Sequence, residues 1–178
     1  MMRFAGATAT LVLLTGALMG AEFALTGTNT TITFIGTKPG GKHEGGFKTV
    51  TGTATLPGKD LTELKITLDI DVDSLYTDTP KLTTHLKSPD FFGVKSNPKA
   101  KFVSTKVDKA DKGYKVTGDL TMCGETKSVN FPAQIALKGG MLTLTSGKFT
   151  IDRTQWGMTF GRGKVDDNVT LTVSVKAK

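Results

Sequence analysis

The chain is poor in the residues that most often carry chemistry. It has one cysteine, two histidines and one tryptophan in 178 residues. The lone Cys123 excludes an intrachain disulfide and any metal site built on several thiolates. His43 and His85 are the only imidazoles available as a neutral-pH base. Their spacing fits no metal pattern, and no Gly-x-Ser-x-Gly nucleophile elbow occurs. No catalytic residue, metal or cofactor is therefore expected. Arginine is scarce as well: Arg3, Arg153 and Arg162 stand among lysines. Nucleic-acid readers use arginine forks and basic runs. Here the lysines are spaced singly between apolar residues, as on a solvated strand face, so nucleic acid is not an expected partner. The formal net charge of +7 leaves a weak attraction to anionic lipid, and so a transient contact with a membrane surface.

Long apolar runs are missing too, except at the start. Met1-Met2-Arg3 is a short positive opening, residues 9–19 are apolar, and Gly20-Ala21 is followed by Glu22. The apolar stretch is too short to span a bilayer and has the length of a signal-peptide core. Residues 1–21 read as a secretory signal cleaved near Ala21, which implies a periplasmic or secreted protein. Met19 is larger than the small residue preferred at such a site, so an uncleaved anchor is the alternative. Residues 22–178 have the length of one domain.

What is abundant is glycine, at 21 residues, together with threonine and apolar–polar alternation. Leu64, Ile66, Leu68, Ile70 and Val72 alternate with polar residues, and so do Val169, Leu171, Val173 and Val175. That period marks strands with one buried and one wet face. Strand-like runs cover residues 30–37, 47–56, 64–72, 100–108, 114–122, 129–137, 141–152 and 169–175. Short turns join most of them, which predicts sequential antiparallel pairing. Residues 41–46, with His43, read as a surface turn, and residues 157–163 as a glycine-rich loop. A bulge is expected near Ser146-Gly147, and Pro132 marks an edge or bulge. Eight antiparallel strands close naturally into a barrel; an open two-sheet sandwich is the other arrangement.

One stretch breaks the strand pattern. Between residues 75 and 92, Leu82 and Leu86 sit one helical turn apart, Ser88-Pro89 stops the helix, and Phe91-Phe92 follows. A short helix is predicted over residues 80–88. It fits a lid on a barrel, while the pattern alone slightly favours an ordinary crossover packed on a sandwich.

Several motifs, in order and at consistent spacing, resemble the YceI-like family of polyisoprenoid-binding, lipocalin-like periplasmic proteins. They are Gly45-Gly46-Phe47 with Gly52; Ser74-Leu75-Tyr76-Thr77; His85-Leu86-Lys87-Ser88 with Asp90-Phe91-Phe92; and Pro98-Lys99-Ala100-Lys101-Phe102. Gly118-Asp119-Leu120-Thr121, Ile151-Asp152-Arg153 with Trp156-Gly157-Met158, and residues 169–175 continue the match. Members often carry Arg-Asp where this chain has Leu82-Thr83. The resemblance implies an all-β, eight-stranded antiparallel up-and-down barrel whose interior takes a long apolar chain such as a polyisoprenoid or quinone. On that expectation Phe34, Phe47, Leu75, Leu86, Phe91, Phe92, Phe102, Leu120, Phe131 and Trp156 line the ligand site. In a barrel without ligand, the same aromatics would fill the core. His85 is expected to bond to backbone at the mouth, and His85 and Arg153 are candidate headgroup contacts. The expected role is a binding protein, a carrier or sink for lipid, acting as monomer or homodimer. An enzyme acting on an isoprenoid-type lipid and a ligand-free envelope barrel are the alternatives.

Overall fold

The computed structural model describes residues 20–178. The signal-peptide reading falls on residues outside these, apart from Gly20 and Ala21. The described chain is one antiparallel sheet of twelve strands with a single short α-helix. In chain order the strands are β1 (Ala21–Thr26), β2 (Thr30–Lys38), β3 (Gly41–Phe47), β4 (Val50–Leu56), β5 (Lys65–Asp71) and β6 (Leu75–Thr77). Helix α1 (Pro80–Lys87) follows, then β7 (Lys99–Ala110), β8 (Gly113–Met122), β9 (Glu125–Lys138), β10 (Met141–Ser146), β11 (Phe149–Asp152) and β12 (Asn168–Ala177). Neighbours run β1-β4-β5-β7-β8-β9-β10-β12-β2-β3-β6, with β11 also on β12. The path begins on β1 and returns to β2, the next strand in the chain, so the sheet curls into a barrel-like wall.

The expected count of eight strands is corrected to twelve, for a physical reason. Long runs bend sharply, and each bend interrupts the ladder. Residues 147–148 split the predicted run 141–152 into β10 and β11, and residues 48–49 separate β3 from β4. At these breaks side chains replace lost ladder acceptors. Ser146 Oγ accepts from the Val173 N–H at 2.7 Å, and Ser74 Oγ accepts from the Thr49 N–H at 2.9 Å. Ser104, beside the register shift in β7, accepts from the Ile66 N–H at 2.8 Å. Buried backbone donors must find such partners, so the serines make the bends affordable.

Two further expectations change. Residues 41–46 are not a turn: they form β3, paired to β2 from Ile32↔Phe47 to Lys38↔Gly41. Strand β1, with buried Phe23 and Leu25, carried too short a pattern to stand out beside the apolar leader. In place of the bulge expected near Ser146-Gly147 the strand ends at Ser146, with the Gly147 N–H donating to the Pro132 carbonyl at 2.8 Å, and Pro132 sits inside β9 paired in register to Lys115 of β8.

The interior is divided. At the end holding the β4–β5, β7–β8 and β9–β10 turns, Leu25, Leu56, Val116 and Leu142 are at most 1% exposed and pack as solid core. At the other end the interior is hollow. Helix α1 lies there, starting at Pro80 in the first helical position, where its missing N–H costs nothing. It ends at Ser88, as Pro89 requires.

Candidate functional site

The hollow end is a cavity of about 300 Å³. Its wall comes from the inward residues of strands whose alternation is plain in the sequence: Ile66, Leu68 and Ile70 of β5, and Val169, Leu171, Val173 and Val175 of β12. Toward the solid end the same strands supply core instead. Leu64 precedes Ile66 and Ala177 follows Val175, and both are buried outside the cavity.

Aromatic rings take up the middle. Phe131 stacks on Phe149 with centroids 4.7 Å apart and planes 21° from parallel, and Phe102 lies 5.9 Å from Phe131. Phe34 and Phe92 each sit 6.0 Å from Phe47. Two glycines make this arrangement fit. A Cβ on Gly118 would lie 2.4 Å from the Phe102 ring, and one on Gly45 would lie 2.5 Å from the Phe34 ring. Each phenylalanine therefore lies flat over a neighbouring strand that has no side chain to lift it.

Polar side chains line the cavity at its opening. The portal is framed by the β2–β3 hairpin, by the Leu82, His85 and Leu86 face of α1, and by the loop bearing Phe160, Val165 and Asp166. Asp166 ties that loop to the hairpin: its carboxylate accepts from the Thr37 hydroxyl at 2.5 Å, and its N–H donates to the Thr37 carbonyl at 2.9 Å. His43 Nδ1 meets the Asp78 carboxylate at 3.0 Å, fixing β3 to the residues ahead of α1. The His43 ring, then the Glu44 N–H, hold the Asp78 carboxyl below the usual carboxylate range. His85 Nε2 meets Asp90 at 3.0 Å, and its ring stands edge-on to Phe91 and Phe160, 5.1 and 4.9 Å away.

The expected site residues divide on this geometry. Phe34, Phe47, Leu86, Phe91, Phe92, Phe102, Leu120 and Phe131 line the cavity. Leu75 and Trp156 do not. Leu75 is 3% exposed in β6, and Trp156 is 2% exposed with its indole N–H donated to the Leu120 carbonyl at 3.0 Å. Both are structural packing, because the bends turn them away from the lumen. His85 is at the mouth, but its partner is the Asp90 carboxylate rather than backbone. Arg153 touches the cavity, yet the residue is 4% exposed and its guanidinium is committed to protein. It donates to the carbonyls of Asp166 and Val165 at 3.1 and 3.4 Å, to that of Met158, and to the Asp167 carboxylate at 3.2 Å. It also lies 5.7 Å from the centre of the Phe91 ring. Phe160 was the least legible of the lining residues, lying in a glycine-rich loop without periodicity. Lys38 and His43 were hidden because their segment reads as a turn.

Comparison with known proteins agrees with this architecture. A UPF0312 protein of Serratia proteamaculans is 33% identical over 137 residues, covering 74% of this chain and 71% of its own. A Pseudomonas putida UPF0312 protein is 34% identical over 138 residues, with 74% and 71% coverage. Among solved structures, BcnA of Burkholderia cenocepacia superposes with a TM-score of 0.75 at 24% identity, covering 84% of this chain and 96% of that one. A polyisoprenoid binding domain from Saccharophagus degradans, implicated in plant cell wall breakdown, gives 0.69 at 12% identity, covering 89% and 98%. At such identities the two structures speak for the fold alone. The YceI-like domain model matches residues 23–177, nearly all of the described sheet, and the chain belongs to the YceI-like family.

Proposed function

We propose that this chain is an exported lipid-binding protein that holds a long apolar chain, of polyisoprenoid, quinone or similar type, inside its barrel as carrier or sink. The observation that carries the reading is a hollow of about 300 Å³ walled by aliphatic and aromatic side chains, with the polar groups gathered at its open end. Water in such a space finds few hydrogen-bond partners, while an apolar chain gains the free energy of leaving water. The twelve-stranded sheet curls around this hollow: β12 pairs with β2, and β1, the strand before β2 in the chain, pairs with β4. The fold shared with the polyisoprenoid binding domain of Saccharophagus degradans supports the same ligand class. Binding is favoured over catalysis because, among the described residues, neither imidazole at the mouth is hydrogen-bonded to a hydroxyl or thiol nucleophile; each meets only a carboxylate.

Mass spectrometry of lipid extracted from protein purified out of its native host tests the reading. A stoichiometric long-chain lipid is expected. Recovery of none, together with no uptake of added polyprenol or quinone, would leave a ligand-free barrel. Export is tested by N-terminal sequencing of the same material, with a start near Glu22 expected and an intact Met1 in a cytosolic pool counting against it.

A further inference from the structure

The portal carries a second feature, on its outer rim. Phe160 is 46% exposed, an unusual degree for a phenylalanine packed edge-on to His85 and 5.6 Å from Phe91. It stands at the threshold, lining the cavity while showing its outer side to solvent. Three lysines lie on the elements that frame the portal. Lys38 lines the portal, Lys164 directly precedes the portal residues Val165 and Asp166, and Lys81 lies one helical turn before His85 on α1.

The charged groups on this rim are not engaged alike. Each portal carboxylate is hydrogen-bonded or ion-paired to a partner within the protein. Asp78 is held by His43, Asp90 by His85, Asp166 by the Thr37 hydroxyl, Asp167 by Arg153 and Arg162, and Glu44 by Lys42 at 2.7 Å. Among the described residues, Lys38, Lys81 and Lys164 form no ion pair. The rim's carboxylates are thus held against the protein, while lysine ammoniums without an ion-pair partner stand on the same elements as an exposed aromatic ring at the cavity's opening.

We propose that this rim docks on the surface of an anionic phospholipid bilayer. Phe160 enters the headgroup boundary, and Lys38, Lys81 and Lys164 face lipid phosphates. Interfacial aromatics beside lysines suit that boundary, being apolar at one end and cationic at the other. Docking this way turns the portal toward the leaflet, so a lipid passes between membrane and cavity without crossing open water. The proposal rests on the lipid-binding reading for its purpose but not for its test.

The test is sedimentation of the chain from Gly20 onward, which holds every described strand and the packed core, with two kinds of vesicle. One is phosphatidylcholine alone; the other adds phosphatidylglycerol. Binding is expected with the anionic vesicles and little with the neutral ones, weakening as salt is raised. Lys81→Gln with Lys164→Gln should lower the partition coefficient by roughly 25-fold, about fivefold per lysine. Phe160→Ser should lower it as well. Lys112→Gln with Lys138→Gln, which removes equal charge at the solid end, should leave most of the binding intact. Equal loss from both lysine pairs would mean attraction by net charge alone and would overturn the docking surface. So would equal binding to both vesicle types, no binding at all, or no effect of Phe160→Ser. Circular dichroism of each variant separates misfolding from lost docking, and the singly substituted Lys164→Gln, on an exposed loop, retains a readout if a double variant fails to fold. Lipid content is measured on the same samples. Vesicle binding without any bound lipid would uphold the docking surface while refuting the carrier reading, and the converse is equally visible.

Discussion

Arg153 discriminates between two roles for the mouth of the cavity. The sequence places it as a contact for a ligand headgroup. The structure gives it a full set of protein partners: three carbonyls and the Asp167 carboxylate, all on or beside the loop that frames the portal. Arg153→Met keeps much of the apolar stem and removes these donors together. Removing one member of a fully buried pair costs about 3–5 kcal/mol. Here Asp167 keeps Arg162 at 3.2 Å and is itself 32% exposed, so its charge is not orphaned. The carbonyls are less fortunate, since a buried acceptor left without a donor costs about 1–3 kcal/mol unless water reaches it. A net loss of about 3 kcal/mol follows, and for a domain of this size that lowers the melting temperature by about 6–12 °C. Arg153→Lys should recover less than half, because one ammonium cannot reproduce the fork that reaches several acceptors at once. Thermal melts of lipid-free protein are the assay, with retained lipid measured in parallel. If Arg153→Met melts within about 2 °C of wild type while lipid is lost, the clamp is wrong and the headgroup contact is right.

Other consequences are smaller. Phe92→Ala should reduce retained lipid more than it reduces stability, whereas Leu142→Ala, in the solid end, should cost about 2–5 kcal/mol and spare lipid content; equal stability losses with equal lipid content would refute the division of the interior. Burial raises the pKa of the Cys123 thiol, so less thiolate is present at neutral pH; alkylation should be slow there and quicken on raising the pH, and Cys123→Ser should leave bound lipid unchanged. Asp78 has a folded pKa depressed first by His43, so its contribution is present above the ordinary carboxylate value and lost as pH falls through the folded one. Hydrogen-exchange protection at the start of α1, taken relative to the intrinsic rate at each pH, should therefore fall below about pH 4 and stay level from there to neutrality on this group's account.

How much of the fold could be read in advance depends on how long a pattern runs without a bend. β12 and β5 alternate cleanly, and their inward faces proved to be cavity wall. Helix α1 was readable because Pro80 opens it and Pro89 closes it. The divided strands were not. A bend needs only a serine that can stand in for a ladder acceptor, and Ser74, Ser104 and Ser146 look like any polar residue on an outer face. β3 was hidden for a different reason. Gly45 and Gly46 are strand residues because Phe34 and Tyr76 occupy the space their side chains would need, a requirement set by neighbours distant in sequence. Read locally, two glycines in a row mean a turn.

The site shows the same limit at finer scale. The resemblance pointed to ten apolar residues as ligand lining, and eight of them border the cavity. Leu75 and Trp156 face packed structure instead. Charged residues were harder, because their role depends on what else is within reach. Arg153 is three residues ahead of Trp156 in a motif associated with ligand, yet the loop of residues 158–167 folds back and takes up its donors. His85 is separated from Asp90 by only five positions, but Ser88-Pro89 must reverse the chain before they meet. A binding cavity of this kind is specified twice: once by local alternation, which builds the wall, and once by the folding-back of its covers, which decides whether a polar residue faces ligand, solvent or its own chain. Phe160 and its lysines belong to the second specification. Their arrangement exists only once α1, the β2–β3 hairpin and the Phe160 loop have come together around the portal.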